Sequence, residues 1–301
     1  MNNTHSSTNL PPTEQRNPLS NRLDQLSTIE MVTLMNQLDA QVPQVIAGVL
    51  PQIAQVVDEI TATLSAGGRL FYQGAGTSGR LAVLDAAELI PTFSAPPDLV
   101  IGLLAGGPAA MIHSIEGAED DEALGRQDLI DHQFSAQDMV IGIAASGRTP
   151  YVLGGLRYAT EVGARSAAIV CNPHSPMAAA APIAIEIITG PELLTGSTRL
   201  KAGSAQKMVL NMVSTCAMVK LGKVYENLMV DVQPTNSKLR QRATRIVAEI
   251  TGLEPAVAAT LLAQANWQTK TAVVMGLAGV NAAEATARLQ ASKGRVREAI
   301  A

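Results

Sequence analysis

Apolar positions follow one rhythm up to about residue 68, a second from Arg69 to about residue 221, and the first again near the C-terminus. Ile29 to Asp39 and the longer stretch Val42 to Ser65 place apolar residues at helical spacing. Ser27-Thr28 with Glu30 marks a helix start, Pro43 sits near another, and Gly67-Gly68 closes the second stretch. From Arg69 short apolar runs at 69–73, 98–104, 138–143, 166–171 and 183–188 predict strands. Between and after them, helical patterns are predicted at about 78–90, 107–118, 121–132, 150–162, 175–180 and 202–221. This alternation calls for a parallel sheet covered by helices on both faces, with ligands at the carboxyl ends of the strands. Beyond Asp231 come a turn-prone Gln233-Pro234-Thr235-Asn236, a basic helical stretch (Lys238, Arg240, Arg242, Arg245) and three short helices, Pro255 to Ala265, Thr269 to Ala278 and Asn281 to Gln290. The predicted organisation is a polar, proline-bearing disordered tail over 1–25, an α/β domain with N-terminal helices over 26–232, and a small helical subdomain over 233–301.

Two strand ends stand out within that pattern. GAGTSGR (Gly74 to Arg80) follows the first apolar run, and AASGRTP (Ala144 to Pro150) follows the third. Small residues let a backbone approach a bound anion, helix-start N–H groups favour negative charge, and Ser and Thr hydroxyls add donors. One such turn is weak evidence; two in one α/β domain predict a site for a phosphorylated small molecule.

The 301 residues are 47% apolar but 3% aromatic, which fits an aliphatic core of helices on a sheet. A net charge of −4 argues against a broad nucleic-acid or anionic-membrane footprint. No run approaches the ~18 apolar residues of a membrane span, the N-terminus has no leader pattern, and Cys171 and Cys216 read as reduced thiols. A soluble cytoplasmic protein is expected. His5, His113, His132 and His174 have no metal-ligand spacing. GAGTSG matches the bare dinucleotide string GxGxxG, but Thr77-Ser78 crowds the turn and no acid follows a second strand about twenty residues on.

Acidic residues supply the remaining chemistry. Asp85 and Glu88 share a face of the helix after the first turn, with Glu88 about 15 Å along the axis from the loop. Its mostly apolar neighbours predict a desolvated carboxyl able to donate a proton near neutral pH. A second cluster, Glu116 with Glu119 to Glu122, follows Gly106-Gly107; one member beside Glu88 would complete an acid–base pair, and spacing does not select which. The block Thr195 to Lys220 opens with hydroxyls and carries Arg199, Lys201 and Lys207, so its helix start is a candidate third wall for an anion.

The hydroxyl-rich strand–turn–helix units resemble the sugar isomerase (SIS) domain, which binds phosphosugars, and the tail helices are similar to the ubiquitin-associated (UBA-like) type. More specifically, GAGTSGRLAVLDAAELIPTF, IEGAED at 115–120, GIAASGRTPYV at 142–152 and GSTRLKAGSAQKMVLNMVST at 196–215 resemble the N-acetylmuramic acid 6-phosphate etherase family, from about Leu26 to the C-terminus. Ser204 stands where that pattern has Thr. The resemblance implies a three-layer parallel-sheet SIS fold and cleavage of a D-lactyl ether to N-acetylglucosamine 6-phosphate and D-lactate, in peptidoglycan recycling, without a metal or redox cofactor. It implies Glu88 as acid and Glu119 as base. Thr77, Ser78, Ser146, Gly147 and Thr149 would hold the sugar and its 6-phosphate, with Ser197 and Lys201 as additional candidates. It also implies a homodimer, in which Lys201 would act across the interface. The alternatives are an aldose–ketose sugar-phosphate isomerase and a non-catalytic sugar-phosphate-binding regulator.

Overall fold

The computed structural model describes residues 10–232, 234 and 236–301; the N-terminal part of the expected tail and half of the turn at 233–236 lie outside them. Five strands, β1 (Leu70–Gly74), β2 (Val100–Leu104), β3 (Met139–Ala144), β4 (Arg165–Val170) and β5 (Ile183–Glu186), form one parallel sheet in the order β2-β1-β3-β4-β5. β1 and β3 are buried along their whole length, so β3 reads as an unbroken apolar run and the one polar side chain of β1, Gln73, donates inside the core to the Gly125 carbonyl at 2.7 Å. The strand order reverses direction between β1 and β3, so the crevice of this α/β fold opens between their carboxyl ends.

Helices flank the sheet and connect its strands: α1 (Thr28–Asp39), α2 (Val42–Ala47), α3 (Leu50–Ser65), α4 (Gly76–Phe93), α5 (Glu122–Asp131), α6 (Pro150–Glu161), α7 (Pro176–Ala180) and α8 (Lys201–Lys220). α1 starts on a capping box, with the Ser27 N–H donating to Glu30 at 2.8 Å. The stretch from Val42 to Ser65 is two helices, because Pro51 lacks the N–H that would bond across the break and its ring disfavours continuous helix before it. The helix expected over 107–118 is absent. Only 3-10 turns form there, Pro108–Met111 and Ala118–Asp120: Ala110 and Ala118 are buried, but Ile112 is 82% exposed and Met111 and Ile115 are exposed too, so the segment has no continuous apolar helix face.

The chain divides into two units. The first takes the chain through Ala87 together with Asp98–Val213, and its core includes Phe71, Val140, Tyr151, Leu156 and Val170. The second combines Glu88–Pro97 with Ser214–Ala301, around Val247, Leu262, Val273 and Val274. The division therefore falls inside α8 at Val213–Ser214 instead of at 232–233. In the second unit a two-stranded hairpin, β6 (Val224–Tyr225) and β7 (Leu228–Met229), precedes α9 (Ser237–Thr251), α10 (Pro255–Gln264), α11 (Thr269–Ala278), α12 (Ala282–Ala291) and α13 (Val296–Ala299). The three expected short helices are present, joined by α9 and α13.

From Leu10 onward the expected disorder gives way to a strap on the first unit. Its short helical turns are held by long-range bonds: Thr13 N–H to Asn172 Oδ1 (3.2 Å), Asn172 Nδ2 to Thr13 Oγ1 (2.8 Å) and Ser20 Oγ to the Leu193 carbonyl (2.7 Å). Polar composition was a poor guide here, because the segment's hydroxyls find partners on the sheet's carboxyl-end loops.

Candidate active site

Gly74 at the end of β1 pairs in register with Ile143 near the end of β3, so the two glycine-rich turns leave the sheet side by side at its reversal point. In the first turn a Cβ on Gly74 would lie 2.8 Å from the Gly79 nitrogen and 3.0 Å from the Ile143 carbonyl oxygen, so larger residues cannot occupy this crossing. Thr77 and Ser78 fall in the first turn of α4, Thr77 half-buried and Ser78 buried. The Ser78 hydroxyl donates to Gln206 Oε1 at 2.8 Å, while Gln206 Nε2 is buried with no partner among the described residues. Thr77 lies against α8 at Gly203, where a Cβ would meet its methyl group at 3.4 Å.

The second turn runs from Ala145 to Thr149, the residue before α6. Gly147 takes φ +67 and packs against Ser175, a position closed to any side chain. Its amide, assigned to phosphate from the sequence, donates instead to the Ala144 carbonyl at 3.2 Å and closes the turn. Ser146 is half-buried, with Oγ accepting the Arg148 N–H at 3.2 Å. Thr149 precedes α6 without a side-chain capping bond. Asn172, at the end of β4, donates to the Ala145 carbonyl at 3.2 Å and so joins this turn to the N-terminal strap. The hydroxyls of Thr77, Ser78, Ser146 and Thr149 thus all belong to the two turns that leave neighbouring strands of the first unit.

Glu119 is exposed, on the 3-10 turn that buries Ala118 in the core. It shares a pocket of about 260 Å³ with Ala75, Gly76 and Arg80 from the first turn, and Glu116 lines the same space. Arg80 shapes that pocket, its Nε donating to the Ala110 and Met111 carbonyls at 3.0 and 3.1 Å. Glu88 belongs to the second unit and is exposed, against the expected apolar enclosure. The enclosed acid on this helix is Asp85, 6% exposed, which accepts from Asn211 Nδ2 at 2.8 Å.

The third block departs most from expectation. α8 starts at Lys201, and the fully buried Glu192 already occupies that start, accepting the N–H groups of Lys201 and Ala202 at 3.0 and 2.9 Å. Lys201 is itself 3% exposed, with Nζ donating to the Thr189 carbonyl at 2.8 Å. Burial pushes the Glu192 carboxyl up despite its backbone bonds, and pushes the Lys201 ammonium down despite the charge of Glu192. Within this chain Lys201 is therefore an internal support. Ser197, half-buried, lies in the turn before α8, its N–H bonded to the Leu194 carbonyl at 2.9 Å. Glu192 and Gln206 were not singled out by the sequence; an acid in a short loop nine residues before a helix carries no local signature. Among the described residues no cluster of His, Cys, Asp and Glu has the makings of a metal site, and no single helix is long and apolar enough to cross a membrane.

Family models match three parts of the chain: the glucokinase regulatory protein N-terminal SIS domain over residues 52–160, the SIS domain over 124–215, and the C-terminal lid domain of glucokinase regulatory protein over 226–273. A protein of Serratia proteamaculans strain 568 named N-acetylmuramic acid 6-phosphate etherase is 59% identical over 287 residues, spanning 95% of this chain and 97% of its own. One of the same name from Pectobacterium atrosepticum is 60% identical over 287 residues, spanning 95% of each chain. Among solved structures, a phosphoheptose isomerase from Francisella tularensis aligns with TM-score 0.51 at 16% identity, over 64% of this chain and 100% of that one, a likeness of fold alone.

Proposed function

The chain belongs to the N-acetylmuramic acid 6-phosphate etherase family, and from that premise we propose how its residues divide the work. The reaction is a carbon–oxygen lyase reaction of cell-wall amino sugar recycling, releasing D-lactate from N-acetylmuramic acid 6-phosphate and leaving N-acetylglucosamine 6-phosphate. An ether oxygen is a poor leaving group, so the C3–O bond breaks only after C2 becomes acidic. Opening the sugar ring exposes an aldehyde at C1, which acidifies the C2 hydrogen. Glu119 as carboxylate takes that proton, the C2 electron pair forms the C2–C3 double bond, and lactate departs from C3. Glu88 as carboxylic acid protonates the departing oxygen. Water then adds across the double bond, its oxygen to C3 and a proton to C2, so one water is consumed overall.

The observation that carries this reading is the sharing of one small pocket by Glu119 and the first glycine-rich turn. Glu88 takes its role from the motif it sits in. The hydroxyls of Thr77, Ser78, Ser146 and Thr149 hold the 6-phosphate and sugar. For Ser78 this requires the Gln206 amide turned end for end: Nε2 then donates to Ser78 Oγ, gains the partner it lacks, and frees the serine proton for the ligand. Ser197 serves as a turn residue at the edge of this group.

A homodimer in the cytoplasm completes the proposal; the free thiols Cys171 and Cys216 fit a reducing compartment. The test is incubation with N-acetylmuramic acid 6-phosphate in deuterated water. Glu119→Gln should lose both C2 proton exchange and D-lactate release, while Glu88→Gln should keep exchange and lose release. Undiminished exchange in Glu119→Gln would refute its role as base.

A further inference from the structure

The second unit contains a cavity of about 850 Å³, more than three times the volume of the pocket at Glu119, and none of the residues assigned to the reaction lines it. We propose that this cavity is a separate binding site for a small organic anion, a carboxylate or phosphate monoester carried on an apolar body. Its volume lies in the range of small-molecule sites, and Val230, Val232, Leu289 and the Trp267 indole supply apolar wall.

Charge selects an anion. Among the described residues Arg240, Lys270 and Lys293 line the cavity against a single acid, Asp231. That acid is already engaged, at 2.7 Å with Lys270 and 3.1 Å with Lys223, so the surplus at the wall is positive.

α11 begins in the same wall, and its N-cap, Gln268, makes no side-chain capping bond. The first N–H groups of a helix have no partner within the helix and favour a negative group. Beside them Thr269, 2% exposed, has a buried hydroxyl oxygen with no hydrogen-bond partner among the described residues. An unpaired buried hydroxyl is costly, and an oxyanion accepting its proton removes that cost.

The backbone points the same way. α10 ends with the Trp267 N–H on the Leu262 carbonyl at 2.7 Å, a closure that needs one left-handed residue and takes Asn266 at φ +51. Trp267 is left-handed as well, at φ +62, and the closure does not require this. A bulky side chain stays there only when its surroundings hold it, and such residues gather at ligand sites. Here the Arg240 guanidinium sits 4.7 Å from the ring centroid and keeps the indole as a cavity wall.

Trp267 is the chain's one tryptophan, so its fluorescence reads this cavity. The full chain would be titrated with hexanoate and with hexyl phosphate, using hexanamide and hexanol as uncharged controls. A saturable change with either anion and not with the controls is expected, and the anion that works identifies the carboxylate or the phosphate class. Lys293→Met, an exposed site, and Thr269→Val should each weaken that binding about tenfold, the loss of one charge-assisted contact. No saturable change with either anion, equal binding of hexanamide, or unchanged affinity in Lys293→Met would overturn the proposal. These outcomes do not depend on lactate release, so they are independent of the etherase assignment.

Discussion

Glu192 and Lys201 close the start of α8 from inside: the carboxylate takes the Lys201 N–H at 3.0 Å, and the lysine's own Nζ goes to the Thr189 carbonyl at 2.8 Å. A helix start is a ready anion site, and here the protein supplies the anion itself. The arrangement has a functional consequence, because the first two turns of α8 carry Gly203 against Thr77 and Gln206 against Ser78. The pair therefore fixes the wall behind the first glycine-rich turn.

Removing that carboxylate leaves two backbone donors without their acceptor and takes a compensating charge away from the buried ammonium. Glu192→Ala should cost about 2–5 kcal/mol, the scale for leaving two buried N–H groups without an acceptor. Glu192→Gln should cost less, since its amide oxygen still accepts one N–H. Urea unfolding of the three chains decides it. A loss below about 1 kcal/mol for the alanine variant, the scale of an exposed pair, would show the contact to be ornamental.

The hydroxyls of the second turn should act on binding more than on chemistry. Ser146→Ala and Thr149→Ala are each expected to raise KM for the phosphorylated substrate about tenfold with kcat nearly unchanged, the signature of lost uniform binding. Steady-state D-lactate release measures both constants. An unchanged KM in the double variant would remove these residues from the phosphate site.

Asp138 sets a pH dependence. It is 2% exposed and accepts from the Arg69 backbone N–H at 2.9 Å, from the Arg69 guanidinium at 2.9 Å and from the Ser135 N–H at 3.0 Å. Burial alone would raise this carboxyl, but the Arg69 and backbone hydrogen bonds outweigh it and hold it below the ordinary aspartate value. A carboxyl lowered in the folded state stabilises fully above its unfolded pKa, about 3.9, and loses that contribution as pH falls through the folded value. Asp138→Asn should thus be less stable by about 1–3 kcal/mol near pH 7, with the gap closing below about pH 4. Urea unfolding across pH 3–7 (roughly the span of that titration) tests the sign; a gap that stays constant contradicts it.

The sequence was informative where burial imposes a period. All five strands were legible as short, mostly apolar runs, and β3 most plainly, because it is buried along its whole length. The crevice was legible too, since glycine and hydroxyl residues cluster at both strand ends that meet there. Three features were hidden for physical reasons. The strap from Leu10 depends on partners more than 150 residues away, such as Asn172 for Thr13. The occupation of the α8 start depends on a loop carboxylate, Glu192, that no spacing rule links to that helix. The exposure of Glu88 carries no sequence signature either: Asp85 on the same helix is enclosed and bonded to Asn211 while Glu88 is exposed, although both lie among apolar neighbours in the chain.

Gly147 offers the sharpest test of the second turn. Its φ of +67 already disfavours any side chain, and a Cβ there would overlap both Cβ and Oγ of Ser175. Ser175 is held in place as well, since its hydroxyl accepts the Ala178 N–H at 3.2 Å and caps α7. Gly147→Ala must therefore strain the turn or push Ser175 off that cap, with an expected cost of about 1–3 kcal/mol and a further ~1 kcal/mol if the cap is lost. Ser175→Gly removes both clashing atoms and the capping hydroxyl, with a cost of only a few tenths of a kcal/mol as a glycine cap. If the overlap is the cause, Gly147→Ala made in the Ser175→Gly background should recover most of the loss, leaving only the backbone strain, and the two changes should be non-additive by more than 0.5 kcal/mol (roughly the threshold for coupled neighbours). Additive effects in urea unfolding would place the cost of the alanine in the left-handed backbone itself, and the close packing of Gly147 on Ser175 would then have no part in setting the turn.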